Sequence, residues 1–228
     1  MDSLIRYAPL LASGALVTIS LAVLAQVLAT LLGALGAAGR LAGGRAARAL
    51  VTAYTTIVRG VPDLVMLLLV YFGGQRLVNI AAGWLGFDAA DLSPFLAGVL
   101  ALGFIYGAYL TETFRGAYLT IPRGQIDAGR ALGLRPLAIL RAISIPQLVR
   151  FALPGYANVW QVLVKSTALV SVIGLQDVVG LANDAGKSAG QPFVFFAAVL
   201  LVYLAITWAS TTLFEHLERR GGRWSHAR

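Results

Sequence analysis

The sequence predicts an all-α integral membrane protein with five membrane-spanning helices. Of its 228 residues, 58% are hydrophobic and only 12% are charged, whereas a soluble domain has about 45–50% apolar and about 25% charged residues. The apolar residues form runs that are long enough to cross a bilayer, which takes about 20 residues in a helix. Charged residues collect in the links between these runs, so the chain alternates between spans and polar connections.

Composition also limits the kinds of site and partner. The chain has no cysteine, and its two histidines, His216 and His226, lie near the C-terminus. A thiolate site, or a histidine-based catalytic or metal site inside the spans, is therefore excluded. The net charge of +8 would suggest nucleic acid in a soluble protein, but here basic loops beside anionic lipid explain it better. We expect membrane lipid as a partner and no nucleic acid.

The first two spans follow from the apolar runs near the N-terminus. Span one is predicted over residues 10–38, inside the uncharged run between Arg6 and Arg40. That run is too long for the core of a cleaved signal peptide and lacks its cleavage signature. Span two is predicted over residues 49–72, with a break at Arg59–Pro62 because a proline cannot donate a helix hydrogen bond.

The other three spans follow in the same way. Span three is predicted over residues 94–111 and ends before Glu112. Span four is predicted over residues 151–175, with a break near Lys165, where Lys-Ser-Thr interrupts the apolar run. Span five is predicted over residues 193–213.

The distribution of Lys and Arg predicts the orientation. The first and third links and the C-terminal tail hold thirteen of the eighteen basic residues, and the N-terminus with the second and fourth links holds three. Because positively charged links stay on the cytoplasmic side, the N-terminus is expected to be periplasmic and the C-terminus cytoplasmic. The whole chain, 1–228, is then expected to form one transmembrane domain with its third link in the cytoplasm.

The third link contains the longest polar interval, Ile121–Pro146. Residues 126–132 can form about two helical turns, Gly133 interrupts them, and Pro136 suits the first turn of a second helix. Leucines recur on one side at roughly helical spacing, and arginines can face the other side. The pattern alone leaves two interpretations open: an amphipathic linker that rests on lipid headgroups, or an element that docks onto another protein.

The residues of this interval carry a family resemblance. They read Asp127-Ala128-Gly129, then Gly133, then Ile143-x-Ile145-Pro146. This resembles the EAA loop of ABC-importer permeases, usually written E-A-A-x3-G-x9-I-x-L-P, with Asp, Gly and Ile replacing the usual Glu, second Ala and Leu. Further stretches extend the resemblance over nearly the whole chain, at residues 54–65, 103–109, 112–117 and 158–169. Together they resemble the permeases of polar amino-acid importers, closest to the first permease subunit of histidine and lysine/arginine/ornithine importers.

The resemblance implies a type I ABC-importer (MetI-like) permease fold in the bacterial inner membrane. It also implies that the short helix of the loop docks into a groove of a cytoplasmic ATPase. The implied partners are a second, similar permease subunit, two ATP-binding cassette subunits and a periplasmic substrate-binding protein. The candidate coupling residues are Asp127, Ala128, Gly129, Gly133, Leu134, Ile143, Ile145 and Pro146.

ATP chemistry is expected in a partner subunit. The sequence contains no P-loop, so ATP with Mg²⁺ is expected in the ATPase. This chain is expected to bind no cofactor or metal and to be no enzyme itself.

Polar residues inside the predicted spans are candidates for the solute pathway, because a charge at the centre of a membrane helix costs about 2.5–3.5 kcal/mol and usually faces a cavity or a partner. Structural alternatives stay open. Arg59 can pair with Asp63 four residues on, Glu112 can pair with Arg115, and a polar stripe on span four can join two helices by hydrogen bonds. The candidates are Asp63, Tyr106, Glu112, Asn158, Gln161, Lys165 and Ser166.

The function that the resemblance implies is import of basic amino acids such as histidine, arginine, lysine or ornithine. A permease for opines, which are amino-acid conjugates, is an alternative within the same family. A self-sufficient secondary transporter is a rival of another class, although the sequence has no visible inverted repeat. A membrane enzyme needs paired aspartates or a nucleophile and a base in the spans, where the sequence offers Asp63 as the only aspartate and no histidine.

Overall fold

The computed structural model describes residues 2–85 and 91–222, and most of these residues are helical. Five segments are long and apolar enough to cross a membrane, which confirms the five-span prediction: Arg6–Ala42, Asp63–Trp84, Pro94–Leu119, Pro136–Ile173 and Pro192–Arg220. The helices are α1 (Asp2–Ala42), α2 (Arg45–Gly60), α3 (Asp63–Leu85), α4 (Pro94–Leu119), α5 (Arg123–Ala131), α6 (Pro136–Ile139), α7 (Ile145–Ser166), α8 (Val178–Ala189) and α9 (Pro192–Gly222). A π-helical turn covers Leu140–Ser144 and a 3-10 helix covers Thr167–Ile173.

The structure corrects the bounds predicted for the second span, residues 49–72. The chain leaves the helix at Val61, whose φ of −107° and ψ of 140° are extended. The ring of Pro62 disfavours the helical conformation for the residue before it, so the predicted break at this point divides two helices. The amphipathic helix α2 ends there, and the helix that qualifies as a span is α3, which begins at Asp63.

The link predicted over residues 73–93 is shorter in the structure, because α3 continues as far as Leu85. Gly73 and Gly74 suggest a link, since glycine lowers helix propensity by about 1 kcal/mol relative to alanine. In lipid, however, each unpaired backbone group costs several kcal/mol, and this outweighs the propensity of a glycine pair between apolar residues. Residues 86–90 of the predicted link lie outside the described residues.

Helices α1 and α4 form the centre of the bundle and run side by side. Glycines let the two backbones approach: a Cβ on Gly33 would lie 2.6 Å from Cβ of Leu110, and one on Gly36 would overlap Thr111. Small residues at such positions bring membrane helices into close van der Waals contact. Helix α4 is buried along much of its length, and α2, α3 and α7 pack around it.

The fourth span changes its helical form one residue after Lys165, where the sequence predicts a break. Helix α7 ends at Ser166, and the 3-10 helix continues the span until Gly174 closes it with a φ of 92°. A left-handed φ of this kind favours glycine, which has no Cβ to clash. The change of helix therefore occurs within the fourth span, at the predicted position.

Asp177 begins α8 as its N-cap, outside the spans. Its Oδ1 accepts a hydrogen bond from the backbone N–H of Gly180 at 2.9 Å. The side chain is fully buried, and Oδ2 has no hydrogen-bond partner among the described residues. Burial raises the pKa of the Asp177 carboxyl above its usual range, although backbone hydrogen bonds from Gly180, Val179 and Asp177 itself act to lower the pKa. The negative charge is therefore unfavourable at this cap.

The substitution Asp177→Asn is expected to remove a pH-dependent loss of stability. Because folding raises this pKa, the contribution of the carboxyl to stability is fully present below the ordinary pKa of 3.8 and is lost as the pH rises through the raised value. Asparagine keeps an oxygen for Gly180 but does not ionise. Thermal unfolding in detergent between about pH 4 and pH 8 should show the wild-type Tm falling relative to that of the variant; a constant difference would contradict this account.

Candidate functional site

The Ile121–Pro146 loop forms two short helices with a tight turn between them. Helix α5 ends in a Schellman motif, in which the N–H of Leu134 donates to the carbonyl of Gly129 at 3.1 Å and that of Gly133 to Arg130 at 2.9 Å. Gly133 has a φ of 73°, as the predicted interruption requires, and Pro136 stands in the first turn of α6. The loop is thus a folded helix pair.

One side of this helix pair presents apolar side chains away from the bundle. Leu132 is 80% exposed and Leu137 is 55% exposed, and Leu134 is exposed between them. A row of exposed leucines rimmed by charged residues is typical of an interaction surface. Asp127 lies on the exposed side of α5, where it pairs with Arg130 at 3.0 Å. Ala128, Ile145 and Pro146 are exposed as well.

The other side of the helix pair packs on the turn that leads into α7. Gly129 is buried, and a Cβ at this position would lie 2.9 Å from Cδ1 of Ile143. The glycine that replaces the usual alanine of the motif therefore makes room for the Ile143 side chain. Gln147 in the first turn of α7 donates to Gln125 of α5 at 2.6 Å. These contacts attach α5 to α7.

A polar cluster lies where α3, α4 and α7 meet inside the bundle. The buried Tyr106 of α4 donates its hydroxyl to Oδ2 of Asp63 at 2.7 Å, and the hydroxyl oxygen of Tyr106 lies 2.6 Å from Oγ of Ser166. Asp63 is the first residue of α3 and Ser166 is the last residue of α7. We call these three residues the Asp63 cluster. The structure brings together three of the predicted pathway candidates that lie far apart in the sequence.

Arg59 does not follow the predicted alternative of an ion pair with Asp63. Its guanidinium lies 5.3 Å from the ring centroid of Tyr109, at a distance where a cation–π interaction is favourable. Tyr109 in turn stacks on Tyr106 at 5.6 Å. The interruption of the helix at Val61 explains the difference, because Arg59 belongs to α2 and Asp63 to α3.

Glu112 lies apart from the Asp63 cluster, in an ion-pair group between α1 and α4. Its carboxylate accepts from Arg40 at 2.5 Å and pairs with Arg115 at 2.8 Å. The pair with Arg115 is the predicted structural alternative. The sequence analysis predicts no role for Arg40, because no local spacing indicates its contact with Glu112, which lies 72 residues away.

The polar residues of α7 face different surroundings. Gln161 donates to Oγ1 of Thr211 on α9 at 3.1 Å, so it joins two helices, which is the predicted alternative for this stripe. Asn158 and Lys165 are exposed. Of the pathway candidates on α7, Ser166 belongs to the Asp63 cluster, through its contact with Tyr106. Among the described residues, no three His, Asp or Glu side chains are placed to hold a metal ion.

The substitution Glu112→Gln is expected to destabilise the bundle by loosening α1 from α4. Losing one partner of a hydrogen bond to a charged group costs about 1–3 kcal/mol. In a double-mutant cycle with Arg40→Gln, the two effects on unfolding should be non-additive by about 0.5–3 kcal/mol. Strictly additive effects would show that the ion pair contributes nothing to the packing of α1 on α4.

Comparison with known proteins supplies the family. Residues 29–222 match the family described as the binding-protein-dependent transport system inner membrane component. The chain belongs to this family. The match covers most of the chain, including the loop and the Asp63 cluster, and it confirms the resemblance to ABC-importer permeases.

Related members of the family extend the match. The chain is 47% identical over 207 residues, 91% of each protein, to the histidine/lysine/arginine/ornithine transport system permease protein HisQ of Salmonella typhimurium. It is 42% identical over 192 residues to the octopine transport system permease protein OccQ of Rhizobium radiobacter, covering 84% of this chain and 81% of that protein.

A solved structure confirms the type I ABC-importer permease fold. The chain matches a crystal structure of an amino acid ABC transporter with histidines, with a TM-score of 0.82 and 30% sequence identity. The match covers 96% of this chain and 97% of the other.

Proposed function

We propose that this chain is the permease subunit of an ATP-driven importer of basic amino acids. One observation carries the proposal. Helices α4 and α7, which flank the Ile121–Pro146 loop, also supply Tyr106 and Ser166 to the Asp63 cluster. An ATPase that moves the loop therefore moves two of the three helices around this cluster. Movement of the loop is thereby coupled to movement of the Asp63 cluster.

The proposed solute is a cationic amino acid, such as histidine, arginine, lysine or ornithine. Asp63 carries a carboxylate inside the bundle, where it attracts a cationic side chain, and Tyr106 and Ser166 add hydrogen-bonding groups. Lys165 is exposed beside this cluster, and we propose that it contacts the carboxylate of the solute as the solute enters or leaves the cluster. The similarity to HisQ supports basic amino acids, and the similarity to OccQ supports an opine as the second candidate.

We assign the remaining pathway candidates to the edges of the route. Glu112 stands on the loop side of Tyr106 along α4, and Gln161 and Asn158 stand on the loop side of Ser166 along α7. The ion pairs of Glu112 fix α4 against α1, and the hydrogen bond of Gln161 fixes α7 against α9.

The proposed assembly lies in the bacterial inner membrane, with the N-terminus periplasmic and the C-terminus and loop cytoplasmic. The charge distribution supports this orientation. A second, similar permease subunit completes the route. Two ATP-binding cassette subunits, which bind ATP with Mg²⁺, dock against the loops. A periplasmic substrate-binding protein delivers the solute to the outer face.

Reconstitution tests the proposal. Proteoliposomes that contain this chain, a second permease subunit, the ATPase and the loaded binding protein should take up arginine or histidine only with ATP inside. Removal of the ATPase should abolish uptake. Uptake by this chain alone, without ATP, would establish a self-sufficient transporter instead.

A further inference from the structure

An open cavity lies between α1, α2 and α4, on the loop side of the Asp63 cluster. Its volume is about 490 Å³. Tyr109 in its wall stacks on Tyr106 of the cluster at 5.6 Å, and Glu112, also in the wall, follows both tyrosines along α4 towards the loop. The cavity therefore adjoins the cluster on the side from which a solute enters the cytoplasm in the proposed orientation.

The lining of this cavity is polar although two of its walls belong to spans. Arg40 of α1 and Glu112 of α4 lie within spanning segments. Helix α2 contributes Thr52, Thr56 and Arg59, all of which are exposed. Residues four and seven positions apart share one face of a helix, so these three form a polar stripe. Because lipid does not satisfy such groups, the stripe lines a water-filled space.

Arg59 brings a positive charge into the cavity that no acidic side chain compensates. Glu112 already pairs with Arg40 through one oxygen and with Arg115 through the other. Arg59 has no ion pair in the part of the chain that the structure describes, and its guanidinium lies 5.3 Å from the ring centroid of Tyr109. A guanidinium binds a carboxylate through two parallel hydrogen bonds. The cavity is thus suited to a carboxylate.

The proposed solutes supply that group, because every amino acid carries an α-carboxylate. In a basic amino acid a side chain separates this carboxylate from the cationic end. Asp63 and Arg59 flank the helix interruption at Val61, and both contact the stacked pair of Tyr106 and Tyr109. An extended solute that lies along the two rings can therefore place one charged end near each residue.

We propose that Arg59 binds the α-carboxylate of the solute while Asp63 holds its cationic end. This inference rests on the proposed function and adds a second contact to it. The pair of opposite charges selects a complete amino acid over a compound that has the same cationic side chain but no carboxylate. Lys165 of α7 contacts the carboxylate during entry or exit, whereas Arg59 holds it while the solute rests at the cluster.

Ligand binding to the assembled transporter tests the proposal. The complex is placed in nanodiscs without ATP or binding protein. Radiolabelled arginine is then displaced by unlabelled arginine or by argininamide, in which a neutral amide replaces the carboxylate. Binding that persists in Asp63→Asn belongs to the second permease subunit and is subtracted. The wild type should bind arginine about tenfold more tightly than argininamide, the effect of one hydrogen-bonded charge pair.

Variants of Arg59 should change this preference. Arg59→Gln should weaken arginine binding about tenfold and leave argininamide binding unchanged. Arg59→Lys keeps the charge without the planar fork of the guanidinium and should restore part of the preference. The matched control Arg48→Gln makes the same change at an exposed position of α2 outside the cavity, and it should keep the wild-type preference.

Three results would overturn the proposal. Equal weakening of both ligands by Arg59→Gln would show that Arg59 only supports packing. An undiminished preference in Arg59→Gln would place the carboxylate elsewhere and leave Arg59 to another anion, such as a lipid phosphate. If Arg59→Gln does not assemble, Lys165→Gln decides, since a retained preference supports Arg59 and a lost one assigns the carboxylate to Lys165. Arginine binding that Asp63→Asn leaves unchanged would refute the role of the cluster itself, and this inference with it.

Discussion

Replacing Gly133 with valine is expected to leave the protein inserted and assembled while solute uptake falls at least about fivefold. The reason lies in the backbone, because a Cβ at this position would meet no atom within 4 Å. The φ of 73° is strained for a β-branched residue by about 1–3 kcal/mol. The Schellman turn is then destabilised, and the exposed leucines no longer stand in their native position. ATP hydrolysis by the partner should continue without matching uptake.

Two controls isolate the effect of the Gly133 turn. Gly124→Val introduces the same side chain in α5, also with no atom near its Cβ and without a left-handed φ, and should preserve uptake. Gly133→Asn should recover part of the uptake, because asparagine tolerates the left-handed conformation. The measurement is the ratio of solute transported to ATP hydrolysed. If Gly133→Val and Gly124→Val give the same ratio, the turn has no role in coupling.

Asp63→Asn is expected to reduce the uptake of cationic amino acids by about 30-fold or more, since losing one partner of a buried charge pair costs about 2–5 kcal/mol. The variant keeps an oxygen that accepts the hydrogen bond from Tyr106, so the cluster retains its geometry while it loses its charge. The fold and the assembly should therefore be unchanged, and the defect should appear in solute affinity.

The control for Asp63→Asn is Asp184→Asn, which removes a carboxylate from an exposed position on α8. Uptake should be measured with saturating amounts of the loaded binding protein, so that delivery is equal in both variants. ATP hydrolysis stimulated by that protein reports intact assembly. An unchanged KM for arginine in Asp63→Asn would remove the cluster from the solute route.

The sequence predicts the five spans and the helix pair of the loop because both depend on local patterns. Apolar runs separated by charged residues locate the spans, and Gly133 with Pro136 locates the turn. These patterns do not predict the bounds of the second span. Helix propensity alone would end the helix at Gly73 and Gly74, but in the bilayer the cost of unpaired backbone groups keeps these residues helical.

Contacts between distant residues are beyond the reach of such patterns. The Asp63 cluster joins residues 63, 106 and 166, and no spacing rule connects a helix start, a helix centre and a helix end. The same holds for Arg40, whose partner Glu112 is 72 residues away. The sequence identifies most of these polar residues as candidates, but only the packing of α1, α3, α4 and α7 shows which of them meet.

The central claim is that the Ile121–Pro146 loop docks on an ATPase subunit, and site-directed crosslinking tests it most directly. The chain has no cysteine, so Leu134→Cys adds a single thiol to the exposed side of the loop, and Leu201→Cys adds one to the exposed side of a span as a control. In the assembled transporter, a short bifunctional reagent should join the thiol at position 134 to the ATPase and leave the thiol at position 201 unlinked to it. A loop thiol that reacts only with membrane-partitioned reagents, and never with the ATPase, would contradict the account.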